Sequence, residues 1–149
     1  MSDNSFASVG AIVFRDDKVL LVRHTYGSAK GKLLNPGGRL QHGEMPEDAV
    51  KREVYEETGV TAEPLGVLAL RCSHDGWYMV YLCRHTGGEP RSDGAENSEA
   101  VYISCDEALS RPDLTDTAKT LIRIGLEGKA MKRLDCYKGR VMYSANRLI

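Results

Sequence analysis

Short apolar runs alternate with polar, glycine-containing segments along most of the chain. Apolar runs rich in β-branched residues and bounded by turn-forming residues are typical of strands. They predict strands at residues 8–14, 19–24, 63–70 and 78–83, extended chain at 33–35 and a further strand beginning at 100–103. The polar segments predict a hairpin turn at 15–18, a loop at 25–32, a turn at 74–76 and an exposed connection at 86–98.

Two segments predict helices. Pro46 suits the first turn of a helix, where its missing N–H is no loss, and Gly59 suits the left-handed position that follows the last turn. The first helix is therefore expected to span about 14 residues between them. A second helix is expected from about Thr115 to Glu127. Strands that flank a central helix, with another helix near the end, predict an α/β fold with a mixed β-sheet between helices.

The composition is that of one compact domain over residues 1–149. With 42% hydrophobic residues and a net charge of −1, the chain can bury a sizeable core and shows no bias toward nucleic acid. No apolar run is long enough to cross a bilayer, and the N-terminal MSDNSF lacks the positive region of a secretory signal. The four cysteines show no C-x-x-C spacing, which favours reduced thiols and no zinc site. These features predict a cytoplasmic protein without a membrane partner.

The first predicted helix carries an acidic stripe. At about 100° per residue, Glu53, Glu56 and Glu57 fall within roughly 100° of one another. Like charges at this spacing repel, and the negative end of the helix dipole disfavours them further. Because a bound divalent cation removes that conflict, the stripe predicts a metal site with hard oxygen ligands, suited to Mg²⁺, with Mn²⁺ as an alternative. Arg52, beside the stripe, can hold a neighbouring carboxylate in position.

The acidic stripe belongs to a longer motif. From Gly38 to Val60 the chain reads GRLQHGEMPEDAVKREVYEETGV, which matches the signature G-x5-E-x7-R-E-U-x-E-E-x-G-U, where U is a bulky aliphatic residue. Because every fixed position matches, the chain resembles the Nudix hydrolases, enzymes that cleave nucleoside diphosphates linked to another moiety. The resemblance is firm for this motif, extends over about residues 9–126 and is absent from roughly the last 20 residues.

The resemblance implies a Nudix-type α/β/α sandwich with a mixed sheet and a catalytic site on the first helix. The residues it assigns to catalysis are Arg52, Glu53, Glu56 and Glu57, the three glutamates being metal ligands. A further catalytic carboxylate and metal ligand is expected in the loop before a late strand, where Glu96 and Glu99 stand. Glu99 is preferred, because a side chain at a strand entrance is held by the sheet, whereas Glu96 lies deeper in a Gly-, Ser- and Asn-rich loop.

Residues outside the helix are expected to bind the substrate or support the site. Gly37 and Gly38 permit close approach of the backbone to a ligand. Glu44, in the loop before the helix, is a secondary candidate for the metal site or its support. Trp77 and Tyr78 lie where the family's dinucleoside polyphosphate enzymes carry a tyrosine, although aromatic residues in a strand are more often core residues.

The implied reaction is metal-dependent hydrolysis of a pyrophosphate linkage by water attack on phosphorus. Three substrate classes remain open: nucleoside triphosphates or their oxidised forms, nucleotide sugars such as ADP-ribose, and dinucleoside polyphosphates. The stretch at residues 74–76 lacks the proline that accompanies ADP-ribose enzymes in the family, which counts mildly against the second class. The alternative is a nucleotide-binding sensor that kept the fold and lost catalysis, and the intact carboxylates argue against it.

The C-terminal segment, from about residue 131, is basic. Its charged residues are Lys132, Arg133, Asp135, Lys138, Arg140 and Arg147, so it carries +4 while the rest of the chain carries −5. A basic tail can steer or clamp a polyphosphate. A peripheral hairpin around residues 137–140 or the contact of a homodimer is favoured over that role. The segment is too short and mixed to predict nucleic-acid recognition.

Overall fold

A computed structural model describes residues 6–137 and 139–146, although not the side chains of residues 135–137. Two residues of the predicted basic segment, Lys138 and Arg147, lie outside the described residues. The strands and helices follow one another as β1 Ala7–Arg15, β2 Lys18–His24, β3 Leu33–Leu34, β4 Gly37–Arg39, α1 Pro46–Thr58, β5 Thr61–Ser73, β6 Gly76–Gly87, β7 Asn97–Ser104, α2 Cys105–Ser110, α3 Asp116–Glu127, β8 Lys132–Tyr137 and β9 Arg140–Ser144.

Strands β1 to β7 form one mixed sheet. Its main order is β3-β2-β1-β6-β5, with β4 paired to β1 and β7 paired to β2. β1 and β6 are parallel, and the predicted hairpin of β1 and β2 is confirmed as an antiparallel pair. β1 changes its antiparallel partner along its length, from β4 at residues 8–10 to β2 at residues 14–15. This change brings the short strand β4 into the sheet and leaves its glycines close to α1.

Helices cover both faces of the sheet. Helix α1 packs Ala49, Val50 and Val54 against one face, with the side chains fully or almost fully buried. Helices α2 and α3 pack residues such as Ala108 and Ile122 against the other face. The predicted α/β/α sandwich is therefore confirmed.

Helix α1 begins and ends close to the predicted positions. Pro46 occupies its first turn, and Gly59 follows its last residue with a left-handed φ of 75°. The N–H of Gly59 donates to the carbonyl of Tyr55 at 2.8 Å, which pairs one of the carbonyls left open at a helix end. The acidic end of the helix is thus fixed by local sequence.

The C-terminal strands β8 and β9 form a separate two-stranded antiparallel sheet. Met131 connects it to the main sheet through two backbone hydrogen bonds with Val67, of 3.0 and 2.9 Å. The hairpin was expected around residues 137–140; Tyr137 and Arg140 are paired across β8 and β9, and Lys138 lies outside the described residues. Among the described residues, no helix is both long and apolar enough to span a membrane.

Candidate active site

The last turns of α1 place the predicted carboxylates in three different environments. Glu57 is 6% exposed, whereas the side chain of Glu56 is 55% exposed and that of Glu53 is 14% exposed. Val54 anchors this part of the helix because it is fully buried in the core. The helix therefore holds one acidic group in the interior, one at the boundary and one at the surface.

Two glycines of β4 permit this arrangement. The N–H of Gly37 donates to both carboxylate oxygens of Glu57, at 3.2 and 3.3 Å. A Cβ added to Gly38 would lie 1.5 Å from Oε2 of Glu53, so no larger residue fits without displacing that carboxylate. Gly37 and Gly38 were predicted to approach the substrate closely. The structure shows that they already approach the acidic helix closely.

Arg52 connects the remaining glutamates. Its Nε and Nη2 donate to the two oxygens of Glu44, at 2.7 and 3.0 Å. Its Nη1 lies 3.1 Å from Glu56 and 3.5 Å from Glu53, and Nη2 also donates to the carbonyl of Arg39 at 3.2 Å. Glu44 therefore holds the arginine, and the arginine contacts two of the three predicted metal ligands.

Burial changes the acidity of the two inner carboxyls. The pKa of Glu57 is raised to about 8 and that of Glu53 to about 7, and burial is the largest cause of both shifts. The N–H of Gly37 acts in the opposite direction on Glu57, and the charge of Arg52 does so on Glu53. The negative charge of Glu96 raises the pKa of both groups. Additional positive charge at this place would stabilise the ionised carboxylates.

The donor set fits a divalent cation in its chemistry. Glu53, Glu56 and Glu57 offer the hard oxygen ligands that Mg²⁺ and Mn²⁺ prefer, and the two inner carboxyls are held where negative charge is costly. Within the described part of the chain, no three His, Cys, Asp or Glu side chains already surround a common ion position. The carboxylates are instead held by Arg52 and by the N–H of Gly37.

The two candidate loop glutamates differ in their surroundings. Glu99 lies within β7 opposite Arg23 of β2, and its Oε1 accepts from Nε of that arginine at 3.1 Å. Glu96 immediately precedes β7, and its charge reaches Glu53 and Glu57. The negative charge of Glu96 therefore acts on the acidic cluster, and its neighbour Asn97 contacts the end of α1, whereas Glu99 is paired with an arginine. The sequence argument from strand support did not foresee that Glu99 has a partner across the sheet.

A cavity of about 520 Å³ opens beside Gly37 and Gly38. Its wall is formed partly by the predicted loop at 25–32, and its lining includes Tyr26, Lys32, Asn35, Arg39, Arg71 and Tyr78. The lining combines cationic and aromatic side chains, and the volume is in the usual range for small-molecule sites. The acidic helix end and a ligand-sized cavity therefore meet at β4.

The two predicted aromatic residues point to different places, as successive residues of a strand do. Tyr78 lines the cavity, with the guanidinium of Arg71 4.9 Å from the centre of its ring. Trp77 is 51% exposed and packs against Phe6, with 5.3 Å between ring centres. Only Tyr78 is thus placed for contact with a ligand in this cavity.

Two buried asparagines at the site were missed by sequence reasoning. Nδ2 of Asn35 donates to the hydroxyl of Tyr78 at 2.9 Å, and Asn35 lines the cavity. Asn97 is 2% exposed, and its Nδ2 donates to the carbonyl of Glu57 at 2.8 Å. Asn35 stands two residues before the glycine pair, and Asn97 falls in the predicted exposed connection at 86–98, so neither position signalled a buried side chain.

The described part of the basic segment lies elsewhere. Arg133 pairs with Glu47, in the first turn of α1, at 3.0 Å, while the acidic cluster occupies the last turns. Lys132 lines a different cavity beside the C-terminal hairpin. These two cations do not reach the cavity at Gly37 in this structure.

Comparisons with known proteins agree on one family. A sequence model of the NUDIX domain matches residues 5–123. The chain is 31% identical over 97 residues to the 8-oxo-dGDP phosphatase NUDT18 of Mus musculus, covering 64% of this chain and 30% of that protein. It is 37% identical over 102 residues to the ADP-ribose pyrophosphatase of Methanocaldococcus jannaschii, covering 64% of this chain and 60% of that protein.

A solved structure shows the same fold over nearly the whole chain. The NUDIX hydrolase from Nitrosomonas europaea superposes with a TM-score of 0.73 at 28% identity, covering 89% of this chain and 95% of that one. The first curated relatives are longer proteins, since the chain spans only 29% to 33% of the length of three of them.

Proposed function

Because the chain belongs to the Nudix hydrolase family, we propose that it is a divalent-metal-dependent pyrophosphohydrolase acting on a nucleoside diphosphate derivative. One observation carries the proposal: the carboxylates at the end of α1 meet a ligand-sized, cationic and aromatic cavity at Gly37 and Gly38. A diphosphate that extends from a nucleoside in the cavity toward Gly38 would lie next to Glu53 and Glu57.

Glu53, Glu56 and Glu57 would hold the metal, which we assign as Mg²⁺, with Mn²⁺ as an alternative. When bound, such an ion neutralises charge on the diphosphate and orients it. Side chains of the protein would position the ligands and bind the substrate. Arg52 keeps Glu56 in place through the Glu44 pair, and the cavity residues Lys32 and Arg39 are placed to bind phosphate oxygens.

We assign the proton acceptor for the attacking water to Glu96, in preference to Glu99. A general base must lie near the reacting atoms. Glu96 is the loop glutamate that directly precedes Asn97, whose Nδ2 donates to the carbonyl of Glu57 at 2.8 Å, and its charge acts on Glu53 and Glu57. Glu96→Gln is expected to lower kcat by about 100-fold or more. Glu99→Gln, which loses only the ion pair with Arg23, is the matched control and should stay within about threefold of wild type. The reverse ranking in steady-state kinetics would return the assignment to Glu99.

Two relatives support a nucleoside diphosphate derivative as the substrate class. Their names identify them as enzymes for ADP-ribose and for 8-oxo-dGDP. Asn35 and Tyr78 offer hydrogen-bonding groups to a base or sugar in the cavity. The argument for dinucleoside polyphosphates rests on Tyr78 alone, because Tyr78 lines the cavity while Trp77 packs on Phe6.

An assay of released products tests the proposal directly. The protein is incubated with nucleoside triphosphates, nucleotide sugars or dinucleoside polyphosphates, first with Mg²⁺ and then with a chelator. Metal-dependent cleavage of a diphosphate linkage is expected, and Glu53→Gln/Glu57→Gln serves as the blank. Tight nucleotide binding without turnover would instead identify a catalytically silent sensor. A cytoplasmic location and a homodimer stay predictions, and light scattering in solution tests the second.

A further inference from the structure

The residues before β7 form a closed turn around Glu96. Oδ1 of Asp93 accepts from the N–H groups of Ala95 and Asn97, at 2.9 and 3.0 Å. The hydroxyl of Ser92 donates to the carbonyl of Asn97 at 2.8 Å. Glu96 therefore projects from a turn whose backbone is fixed by side chains on both sides of it.

Asn97 joins this turn to the catalytic helix. Its Oδ1 accepts from the N–H of Asp93 at 3.2 Å, and its Nδ2 donates to the carbonyl of Glu57 at 2.8 Å. That carbonyl belongs to the last turn of α1, where no later helical N–H can pair with it. Since Asn97 is 2% exposed, both hydrogen bonds are shielded from water. One buried amide thus sets the distance between the Glu96 turn and the Glu57 backbone.

Thr25 holds the same turn from the opposite side. Its N–H donates to the carbonyl of Glu96 at 3.0 Å, and its hydroxyl donates to the carbonyl of Ala95 at 2.8 Å. Thr25 begins the loop whose next residues line the 520 Å³ cavity, among them Tyr26. The Glu96 peptide is therefore fixed between the acidic helix and the wall of the cavity.

We propose that Asn97 is the positioning residue that places Glu96 at the acidic end of α1, with Thr25 as the second support. The inference rests on the proposed function, specifically on Glu96 as the proton acceptor. Asn97 does not touch the substrate; it acts by fixing where the carboxylate stands. Displacement of a catalytic group by about 1 Å is enough to cost about 100-fold in rate, so loss of the amide should appear in kcat and not in substrate affinity.

The first test is a double-mutant cycle. Asn97→Ala should lower kcat by about tenfold or more and leave KM within about twofold. In a Glu96→Gln background, the same substitution should change kcat by less than about twofold, because the group that Asn97 positions is already inactive. If Asn97 has only a structural role, the kcat losses of Asn97→Ala and Glu96→Gln should multiply in the double variant, and that result would overturn the proposal.

A second pair of variants leaves Asn97 in place, so that a folding defect of Asn97→Ala does not decide the test. Thr25→Val removes the hydroxyl at nearly constant volume, and Thr25→Ser restores it. The valine variant should lower kcat and the serine variant should recover most of it, again without effect in the Glu96→Gln background. Ser104→Ala, which loses the N-cap of α2 at a distance from the turn, controls for lost stability and should leave kcat unchanged.

The outcomes separate this proposal from the function on which it rests. If the wild type cleaves no diphosphate, or if Glu96→Gln keeps wild-type kcat, the proposed function or its base assignment fails, and the positioning role fails with it. If Glu96→Gln is slow while Asn97→Ala and Thr25→Val both turn over at the wild-type rate, only the positioning role is wrong.

Discussion

At the scale of single residues, Glu57 is the carboxyl with the most unusual environment. It is almost fully buried near a helix end whose dipole disfavours negative charge, and burial raises its pKa to about 8. Below about pH 4.5 the carboxyl is protonated in both the folded and the unfolded chain. Between that pH and about 8, the unfolded carboxyl is ionised while the folded one resists ionisation, so stability falls as pH rises.

The first prediction is a pH dependence of stability that the substitution Glu57→Gln reduces. In the absence of divalent metal, the free energy of unfolding should fall between about pH 5 and pH 8, and Glu57→Gln should make that fall smaller. The part that remains up to about pH 7 is expected from Glu53. Urea unfolding at several pH values measures it. Glu127→Gln, which removes an exposed carboxylate at the end of α3, is the matched control and should keep the wild-type slope. An unchanged slope in Glu57→Gln would show that this carboxyl is ionised in the folded protein.

The second prediction separates charge from geometry at Arg52. Lysine keeps the charge but lacks the planar fork that binds both oxygens of Glu44. Arg52→Lys should therefore lower kcat by about tenfold or more, because Glu56 loses a fixed partner. Arg15→Lys breaks a comparable two-bond pair with Glu89 at the surface and should leave turnover unchanged. Full turnover in Arg52→Lys would mean that charge alone is required.

At the scale of elements, the three-residue strand β4 restricts the space available to the carboxylates of α1. It carries Gly38 past Glu53 at a distance that leaves no room for a Cβ. Gly38→Ala should push that carboxylate aside and lower kcat strongly, while the sheet pairing to β1 keeps the fold intact. Gly87→Ala is a suitable control, since its new Cβ would meet only the hydroxyl of Thr61 at 3.0 Å. Kinetics and thermal unfolding of both variants decide whether Gly38 has a steric or only a conformational role.

Elements defined by local signals were predictable from sequence, and those defined by distant partners were not. Pro46 and Gly59 fix the ends of α1 by rules that involve neighbouring residues only. The helix α2 was missed because six residues show no clear periodicity, although Ser104 and the N–H of Glu107 form its N-cap. The one sequence signal for this helix was a serine followed three residues later by a glutamate, which is the pattern of a helix N-terminus.

The choice between the two loop glutamates shows the same limit inside the site. The sequence places Glu99 at the entrance of a strand, but only the pairing of β7 with β2 reveals that Arg23 stands opposite it. Asn97 reaches Glu57 across 40 positions of sequence. Helix α1 and its carboxylates were therefore readable from the sequence, whereas the residues that place the loop beside them depend on how β7 pairs.

At the scale of the whole molecule, the C-terminal hairpin is attached to the helix that carries the site. The hydroxyl of Tyr143 donates to Glu47 and accepts from Tyr81, and Arg133 pairs with Glu47 as well. Glu47 lies in the first turn of α1, about one helix length from the acidic cluster. The hairpin can thus stabilise the orientation of α1 without contacting the substrate.

The last prediction tests that role against a polyphosphate clamp. Tyr143→Phe removes the hydroxyl and should lower the free energy of unfolding by about 1–2 kcal/mol, because Glu47 loses a partly buried donor. Turnover of the folded protein should be unchanged, and Arg133→Gln should leave KM unchanged as well. Tyr55→Phe, on an exposed ring of the same helix, should alter neither quantity. A clamp predicts the opposite: KM would rise severalfold in Arg133→Gln at constant stability, and the rise would shrink at high salt because screening already weakens the attraction.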